Sequence, residues 1–411
     1  MTKAVLSKEQ FDDLCSTRFV RERSRRIYDK ALAGGTRFRL DLAKLPACAD
    51  FVRNLILKNY PDLKVPFHSR WEHFNVGSVD RIQALDRKLA TLASRDKAYA
   101  LTDLVLVSVL LDAGAGPDWA YKARDGGSYS RSEGLAVASL EIFEAGLFSS
   151  DSKNPHRVDS KALKALKIED MRKAFQISAA NPMTGLEGRI GLMQKLGECL
   201  EKRGDFFTQD GLSRPGYLLD WYATRLDTRG QLPAQTLLRG LLWGLGDMWP
   251  ERFVVNDCRL GDAWVYPHGA KPEYENIVAF HKLSQWLSYS MIHPLEVSGL
   301  AVSGITELTG LPEYRNGGLF TDMEVLVPRA IADIEKTHAP DGNFLIEWRA
   351  LTVCLLDETA KLIRKDLKLS DEELPLGKVL QGGTWLAGRE TAKRLRGGQP
   401  PFKIESDGTV F

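Results

Sequence analysis

The sequence has few cysteines, almost no net charge and no long apolar run. Its five cysteines are far apart and form no C-x-x-C pair, which argues against a disulfide framework and a cysteine-rich zinc site. Lysine and arginine number 56 against 54 acidic residues, so the total charge gives no reason to expect nucleic-acid binding. No apolar stretch reaches the roughly 18 residues of a membrane helix, and the first residues lack the apolar region of a signal peptide. We therefore expect a reduced, cytoplasmic protein that binds neither membrane nor nucleic acid.

Three common catalytic motifs are also absent from the sequence. It contains no G-x-S-x-G elbow, no P-loop and no H-E-x-x-H helix. Strands and helices do not alternate in the way that indicates a parallel sheet. The composition, 44% apolar and 27% charged residues, is that of a globular protein with a sizeable core.

Helical periodicity dominates the chain and predicts a mainly α-helical, multi-helix globular body. The segment 98–111 is apolar on nearly all sides, which is typical of a buried central helix. We expect a single all-helical catalytic domain over residues 1–411, or two lobes that meet near 150–185. Gly, Pro, Asn or Asp residues bound the predicted helices, which are 98–111, 133–146, 160–179, 185–203, 232–249, 277–293, 323–336 and 345–366.

Strand signals are few and predict two short β-hairpins. Residues 252–255 and 263–266 flank a polar stretch and could pair as a hairpin with a long loop. A second hairpin is expected near 402–411, where two short apolar runs flank Ser406-Asp407-Gly408.

A first cluster of functional side chains lies in residues 66–74. Arg70 could hold a phosphate or a carboxylate through two hydrogen bonds, and Trp71 offers a stacking face. His68 and His73 could bind a metal, although their spacing is not the H-x-x-x-H that places both on one helix face. The alternative is an amphipathic junction that packs its aromatic residues into the core.

A second cluster follows the apolar helix, where Asp112, Asp118 and Trp119 surround a glycine-rich turn. A carboxylate at the end of an apolar helix is partly desolvated, which raises its pKa and suits acid–base chemistry. Capping of neighbouring helices is the alternative role for both aspartates.

A third cluster lies on the predicted helix 277–293. His281, Gln285 and Ser288 follow one another at steps of four and three residues, and Lys282 lies beside them. Such a stripe could line a polar pocket. A buried histidine that is satisfied in the core is the alternative.

The fourth cluster is the segment 311–318, which reads LPEYRNGG. It combines an acid, a phenol, a guanidinium and an amide with two glycines that would let the backbone approach a ligand or adopt positive φ. We interpret it as a loop that serves a site, with Glu313 as the leading functional carboxylate. A tight turn whose charges face water is the alternative.

Several longer runs, spread over the whole chain, point to a known family. They read VPFHSRWEHF, LLDAGAGPDW, RSEGLAVASL, NPMTGLEGR, FHKLSQWLSYSMIHPL, LTGLPEYRNGGLF, EWRALTV, GGTWLAGRE and DGTVF. Together they resemble the Urc4/Urg3 uracil-catabolism family of fungi and bacteria. The resemblance implies a pathway in which uracil becomes its ribonucleotide, a cyclohydrolase-like partner opens the ring, and urea and a three-carbon acid emerge. A ribosylated urea must lose its sugar in such a pathway, which makes N-glycosidic cleavage attractive.

The runs FHKLSQ and PEYRNGG also resemble the F-Y-K-x-A-Q and A-D-Y-R-x-P-Q patterns of queuosine-phosphate salvage N-glycosidases. Those all-helical enzymes are similar to helix-hairpin-helix glycosylases, and the resemblance implies such a fold here. Glu313 stands where that family has Asp, and Asn316-Gly317-Gly318 replaces x-Pro-Gln.

The two resemblances imply an N-ribosyl hydrolase that acts on a small ribose 5-phosphate and needs no metal or organic cofactor. Glu313 would stabilise the transition state, with Asp112 or Asp118 as a second acid. The expected substrate-binding residues are Arg70, Trp71, His73, Trp119, His281, Lys282, Gln285, Tyr314, Arg315 and Asn316. One alternative is a metal-dependent hydrolase of a ureido or amide bond with His68, His73, Asp112 and His281 as ligands. The other is a non-catalytic partner of the ring-opening enzyme.

Overall fold

The computed structural model describes residues 2–112 and 114–405 of the chain. Helices dominate it, which confirms the predicted mainly α fold. The α-helices are α1 Lys8–Leu14, α2 Thr17–Leu32, α3 Leu45–Asn59, α4 Arg70–Phe74, α5 Arg81–Lys88, α6 Ser94–Leu110, α7 Arg131–Glu144, α8 Ser160–Lys164, α9 Ile168–Ala174, α10 Leu186–Lys202, α11 Gly204–Phe207, α12 Leu218–Ala223, α13 Ala234–Gly244, α14 Lys282–Val297, α15 Tyr314–Asp322, α16 Ala332–Glu335, α17 Asn343–Leu367, α18 Leu376–Val379 and α19 Trp385–Arg396. None of the helices in these two ranges combines the length and the apolar character that a membrane span requires.

The strands are short and form small separate sheets. They are β1 Thr2–Ala4, β2 Phe38–Leu40, β3 Ala120–Lys122, β4 Ser128–Ser130, β5 Thr208–Gln209, β6 Leu212–Ser213, β7 Leu232–Pro233, β8 Phe253–Val255, β9 Cys258–Arg259, β10 Ala263–Val265, β11 Ile277–Ala279, β12 Val302–Ser303, β13 Leu326–Pro328, β14 Thr337–His338 and β15 Lys403–Ile404.

Helix α6 lies at the centre of the core, as its sequence predicts. Every residue from Ala98 to Leu110 is buried, and α6 packs against α7 and α14. The largest apolar cluster extends from Tyr28 to Phe402 and includes residues on both sides of 150–185. The single-domain arrangement and its two-lobe alternative stay predictions.

Four predicted helices differ from the structure. The segment 232–249 begins with β7, its helix α13 ends at Gly244, and a 3-10 turn follows at Gly246–Met248. The prediction of a helix over 323–336 is wrong, because β13 occupies Leu326–Pro328 and pairs antiparallel with β2. Pro328 has no N–H to donate inside a helix, so an edge strand suits it better. The segment 277–293 begins instead with β11, and 160–179 divides into α8 and α9.

The strand pairing also differs from the one expected. A hairpin does lie near 252–266, but β8 pairs with β9 across Asn256 and Asp257, whose φ angles of 49° and 62° fit a two-residue turn. Strand β10 pairs with β11 and not with β8. In the second predicted hairpin, β15 pairs parallel with β14, and residues 409–411 lie outside the described residues.

Glycines let α19 and the turn before it pack closely against neighbouring helices. A π-helical turn, Leu380–Thr384, joins α18 to α19. A Cβ on Gly383 would lie 2.5 Å from the Val52 side chain of α3, and one on Gly388 would lie 2.1 Å from the Arg315 carbonyl oxygen. Only glycine permits these approaches, which set the position of α19 against α3 and α15.

Candidate functional site

A cavity of about 330 Å³ lies where the first turns of α7, α14 and α15 meet. Its volume suits a small ligand. Because the N-terminal end of a helix carries partial positive charge, three such ends together favour an anionic ligand. The cavity is lined by His68, His73, Asp112, Gly114, Ala115, Gly116, Pro117, Arg131, Ser132, Lys282, Leu283, Trp286, Leu311, Glu313, Tyr314, Arg315, Trp385, Gly398, Gln399 and Pro400.

Glu313 is the N-cap of α15 as well as a lining residue. One carboxylate oxygen accepts the backbone N–H of Arg315 at 2.8 Å and the other accepts that of Asn316 at 2.7 Å. Burial raises the pKa of Glu313, while these N–H groups and the charge of Arg315 act in the opposite direction. Each oxygen keeps a lone pair for a ligand in the cavity.

The segment 311–318 is therefore the beginning of a helix and not a loop. Gly317 and Gly318 lie within α15, and neither has positive φ. A Cβ on Gly317 would lie 2.7 Å from the ring of Trp348, so this glycine permits close packing against α17. The functional side chains come from the residues just before the glycine pair.

Arg315 provides a buried positive charge on the cavity lining. Its guanidinium lies over the rings of Tyr314 and Trp385, with its central carbon 5.1 and 5.0 Å from the ring centroids. Within residues 2–112 and 114–405, no carboxylate lies within 4 Å of it and Nη1 has no hydrogen-bond partner. A buried guanidinium in this state can bind an anion through charge-assisted hydrogen bonds.

Lys282 begins α14 on the neighbouring side of the cavity. Burial lowers the pKa of its ammonium group, and the negative charge of Glu313 is the largest influence in the other direction. Asp112 also contributes, so Lys282 lies within electrostatic reach of both carboxylates. The pair of cations, Lys282 and Arg315, could hold a dianionic group such as a phosphate.

A buried ion pair ties the starts of α14 and α15 together. Asp262 accepts two hydrogen bonds from Arg349, at 2.6 and 2.7 Å, and one from the backbone N–H of Lys282 at 2.9 Å. Arg349 also donates to the carbonyl oxygen of Pro312 at 3.1 Å. One pair thus sets the positions of Lys282 and of the residue before Glu313.

Asp112 forms a second buried ion pair, with Arg70. Arg70 is fully buried and donates to Asp112 at 2.9 Å, to the hydroxyl of Ser108 at 2.7 Å and to the carbonyl oxygen of Ser132 at 3.2 Å. Arg70 therefore lies behind the cavity lining and orients Asp112, which faces the cavity.

Two histidines and two tryptophans form a further part of the lining. The ring centroids of His68 and His73 are 6.1 Å apart, and both rings pack against Trp286 and Trp385 at 5.6 to 6.2 Å. His68 Nδ1 lies 2.8 Å from the amide oxygen of Gln381 in the π-helical turn. Burial lowers the pKa of His68 to about 4 and that of His73 well below its ordinary value.

Six of the predicted site residues line the cavity: Asp112, Glu313, Tyr314, Arg315, Lys282 and His73. Asp118 is exposed and lies outside the lining. Trp71 and Trp119 are buried, and their ring N–H groups donate to the carbonyl oxygens of Ser290 and Phe175. Asn316 is also buried, and its amide donates to the carbonyl oxygen of Leu311.

The predicted polar stripe on α14 does not face the cavity. His281 Nε2 lies 2.9 Å from the carbonyl oxygen of Leu14, and Gln285 bonds the backbone of Thr309. The face of α14 that meets the cavity carries Lys282 and Trp286. Each of these residues comes one position after a member of the predicted stripe, His281 and Gln285.

The lining also includes Arg131, and it includes Trp286 and Trp385, which the sequence does not single out. Arg131 has a positive φ of 55° at the start of α7, a strained conformation that is frequent at functional sites. Trp286 follows Lys282 by four residues, so helical spacing could have indicated it. Trp385 follows two glycines, and no local pattern distinguishes it from a core aromatic residue.

The four ligands of the metal-hydrolase alternative do not come together. Asp112 is paired with Arg70, and His281 bonds Leu14 outside the cavity lining. Among the residues that the structure describes, no three His, Cys, Asp or Glu side chains are arranged to hold a metal ion.

Comparison with known proteins gives one family and two relatives. The family described as "Protein of unknown function (DUF1688)" matches residues 13–411. "Uracil catabolism protein 4" of Lachancea kluyveri is 36% identical over 429 residues, covering 95% of this chain and 97% of the relative. "Protein urg3" of Schizosaccharomyces pombe is 39% identical over 417 residues, covering 99% and 100%. The similarity extends over almost the whole length of each chain.

Proposed function

The chain belongs to the DUF1688 family, and from this membership we propose that it acts in uracil catabolism as an N-ribosyl hydrolase. The proposed substrate is a ribosylurea-type 5-phosphate, which would give urea, or another ureido product, and ribose 5-phosphate. A ring-opening, cyclohydrolase-like enzyme would supply this substrate. The name of the relative from Lachancea kluyveri supports the pathway, and the residues that line the cavity support the reaction.

The observation that carries the proposal is the buried guanidinium of Arg315 beside Glu313. Arg315 has no carboxylate partner within 4 Å in the described part of the chain, and Lys282 contributes a second positive charge. A cavity lined by these two cations and by the carboxylates of Glu313 and Asp112 fits a molecule that carries both a phosphate and a reacting carbon. The rings of Tyr314, Trp286 and Trp385 would pack against the sugar and the leaving group.

Glu313 would stabilise the positive charge that develops on the ribose. As the bond between C1 and the ureido nitrogen breaks, both bonding electrons leave with the nitrogen and the sugar becomes oxocarbenium-like. A fixed carboxylate beside that charge lowers the barrier. Water then adds its hydroxyl to C1, and its remaining proton replaces the sugar on the nitrogen. Asp112, held by Arg70, would orient this water.

The test is urea release from synthetic ribosylurea 5-phosphate by the purified protein. We expect Glu313→Gln to lower kcat at least about 100-fold, since the variant keeps a cap oxygen but loses the charge. Asp80→Asn is a matched control, because Asp80 caps α5 through the backbone N–H of Gln83 and lies outside the cavity. Urea formation by the wild-type protein that does not exceed the enzyme-free blank would overturn the proposal.

A further inference from the structure

Two imidazoles lie next to each other on the cavity lining, and the function proposed above gives neither of them a role. The side chains of His68 and His73 are only 4% and 6% exposed. They lie between the rings of Trp286 and Trp385, which limits their motion and excludes water from most of their surface. Both residues nevertheless line the cavity.

The proton of His73 is placed by Arg70. An arginine guanidinium only donates hydrogen bonds, and Nη1 of Arg70 faces Nδ1 of His73 at 3.4 Å. Nδ1 is therefore the unprotonated nitrogen, and Nε2 carries the hydrogen. Across the described ranges of the chain, this buried Nε2 has no hydrogen-bond partner.

In His68 the proton lies on the other ring nitrogen, Nδ1. Its Nδ1 lies 2.8 Å from Oε1 of Gln381, and a carbonyl oxygen only accepts. Nδ1 therefore carries the hydrogen, and Nε2 presents a lone pair. Burial and the neighbouring Arg315 disfavour the charged form of this ring, so its pKa falls to about 4 and it is neutral at physiological pH.

We propose that His68 and His73 form a leaving-group subsite that binds a planar ureido group. Nε2–H of His73 donates to the ureido carbonyl oxygen, and Nε2 of His68 accepts an ureido N–H. This assignment rests on the proposed function and names the part of the substrate that the cavity selects. A carboxylate in the same place would set an oxygen against the lone pair of His68, so the pair discriminates against acids of similar shape.

The donor from His73 also assists the reaction. When the C1–N bond breaks, negative charge moves from the nitrogen to the ureido oxygen, where a neutral imidazole N–H stabilises it. A leaving group that is already stable as an anion does not need this help. The contribution of the pair therefore depends on the leaving group.

Two substrates with the same sugar phosphate separate this role from general binding. Ribosylurea 5-phosphate needs the subsite, whereas 4-nitrophenyl riboside 5-phosphate has no N–H and leaves without protonation. We expect His68→Gln and His73→Gln to lower kcat/KM for the ureido substrate about 100-fold and for the nitrophenyl substrate less than about 3-fold. His293→Gln is the matched control, since His293 is a partly buried histidine that packs on Trp71 outside the cavity.

Equal losses on both substrates, or no loss, would overturn the subsite and leave ribosyl hydrolysis intact. Cleavage of only the nitrophenyl substrate by the wild-type protein would overturn both the ureido subsite and ribosylurea 5-phosphate as the substrate, and would leave only ribosyl hydrolysis of a different leaving group. Cleavage of neither substrate would overturn the proposed function, and the ureido assignment with it.

A measurement without substrate tests the arrangement of protons directly. The chain has seven histidines, so long-range ¹H–¹⁵N spectra of the histidine-labelled protein are simple, and the two variants assign the signals. We expect the Nδ1–H tautomer for His68 and the Nε2–H tautomer for His73 at pH 7.5. The same tautomer in both rings, or a protonated ring, would contradict the proposal.

Discussion

At the scale of single residues, Glu313 combines two tasks that sequence reasoning treats as alternatives. Both of its oxygens cap α15, and the same carboxylate faces the cavity. N-capping alone does not explain a glutamate at this half-buried position, because shorter side chains are better N-caps. The second task explains why a longer acid stands there.

Substitution of Glu313 separates the cap from the chemistry. We expect Glu313→Ala to lower the free energy of unfolding by about 1 kcal/mol, because two backbone N–H groups lose their acceptor. Glu313→Gln keeps one acceptor and loses less, while both variants lose activity. Denaturant titration measures the first effect and urea release the second. Asp80→Ala, at the exposed cap of α5, should lose stability but not activity.

His68 also makes a prediction about stability and pH. Its pKa is about 4 in the folded protein and about 6.5 when unfolded, so the unfolded chain binds the extra proton between these values. The contribution of His68 to the free energy of unfolding is therefore fully present above about pH 6.5. It is lost as the pH falls towards 4, and the loss is at most about 3 kcal/mol. Denaturant titrations from pH 7.5 to 4.5 should show a steeper decline for the wild type than for His68→Gln.

The same titrations on His268→Gln are the control, because His268 is exposed. Burial also lowers the pKa of His73 and raises that of Glu313, so both make stability depend on pH, and the informative quantity is the difference between the wild type and each variant. Parallel curves for the wild type and His68→Gln would show that the ring is not held neutral by the fold.

At the scale of elements, the packing of α15 on α19 determines where Arg315 lies. A Cβ on Gly388 would collide with the carbonyl oxygen of Arg315, which belongs to a helical backbone and cannot move alone. We expect Gly388→Ala to lower the free energy of unfolding by about 1–3 kcal/mol and to weaken the binding of ribose 5-phosphate. Calorimetry would measure both quantities.

Gly191 offers a matched control for that substitution. It lies inside α10, and nothing lies within 4 Å of a Cβ added there. Gly191→Ala should raise stability by about 0.5–1 kcal/mol through helix propensity, with no effect on binding. A similar loss in both variants would mean that the contact with Arg315 is not the cause.

The elements also show where sequence reasoning stops. Local patterns were enough to predict α6 and α17, because the burial of a helix shows in the spacing of its apolar residues. They also selected Lys282 and Glu313 as candidate site residues, and both line the cavity. They could not give the face of α14 that meets the cavity, since that helix is buried on most sides and its partners are distant in sequence. The pairing of β10 with β11 instead of β8 is decided by the same kind of long-range contact.

At the scale of the whole molecule, the cavity draws on residues from 68 to 400, and the largest apolar cluster covers nearly the same range. A ligand in the cavity would therefore stabilise elements from both ends of the chain. For a protein of 411 residues, saturation at about 100 times Kd should raise Tm by about 3 °C.

Calorimetry with ribose 5-phosphate tests this prediction together with the domain organisation. A single transition that shifts as a whole is expected for one domain, and Arg315→Met should remove most of the shift. Two separate transitions, of which only one responds to the ligand, would instead support two lobes that meet near 150–185.

The π-helical turn at Leu380–Thr384 has a consequence for how such a cavity could arise in a lineage. A π turn holds one residue more than the α-helical turn it replaces, and each residue of an α-helix rotates the following side chains by about 100°. Removal of one codon from this turn would leave a continuous helix but would turn Trp385 and Arg389 away from their present neighbours. The place of Trp385 on the cavity lining therefore depends on the one extra residue of this turn.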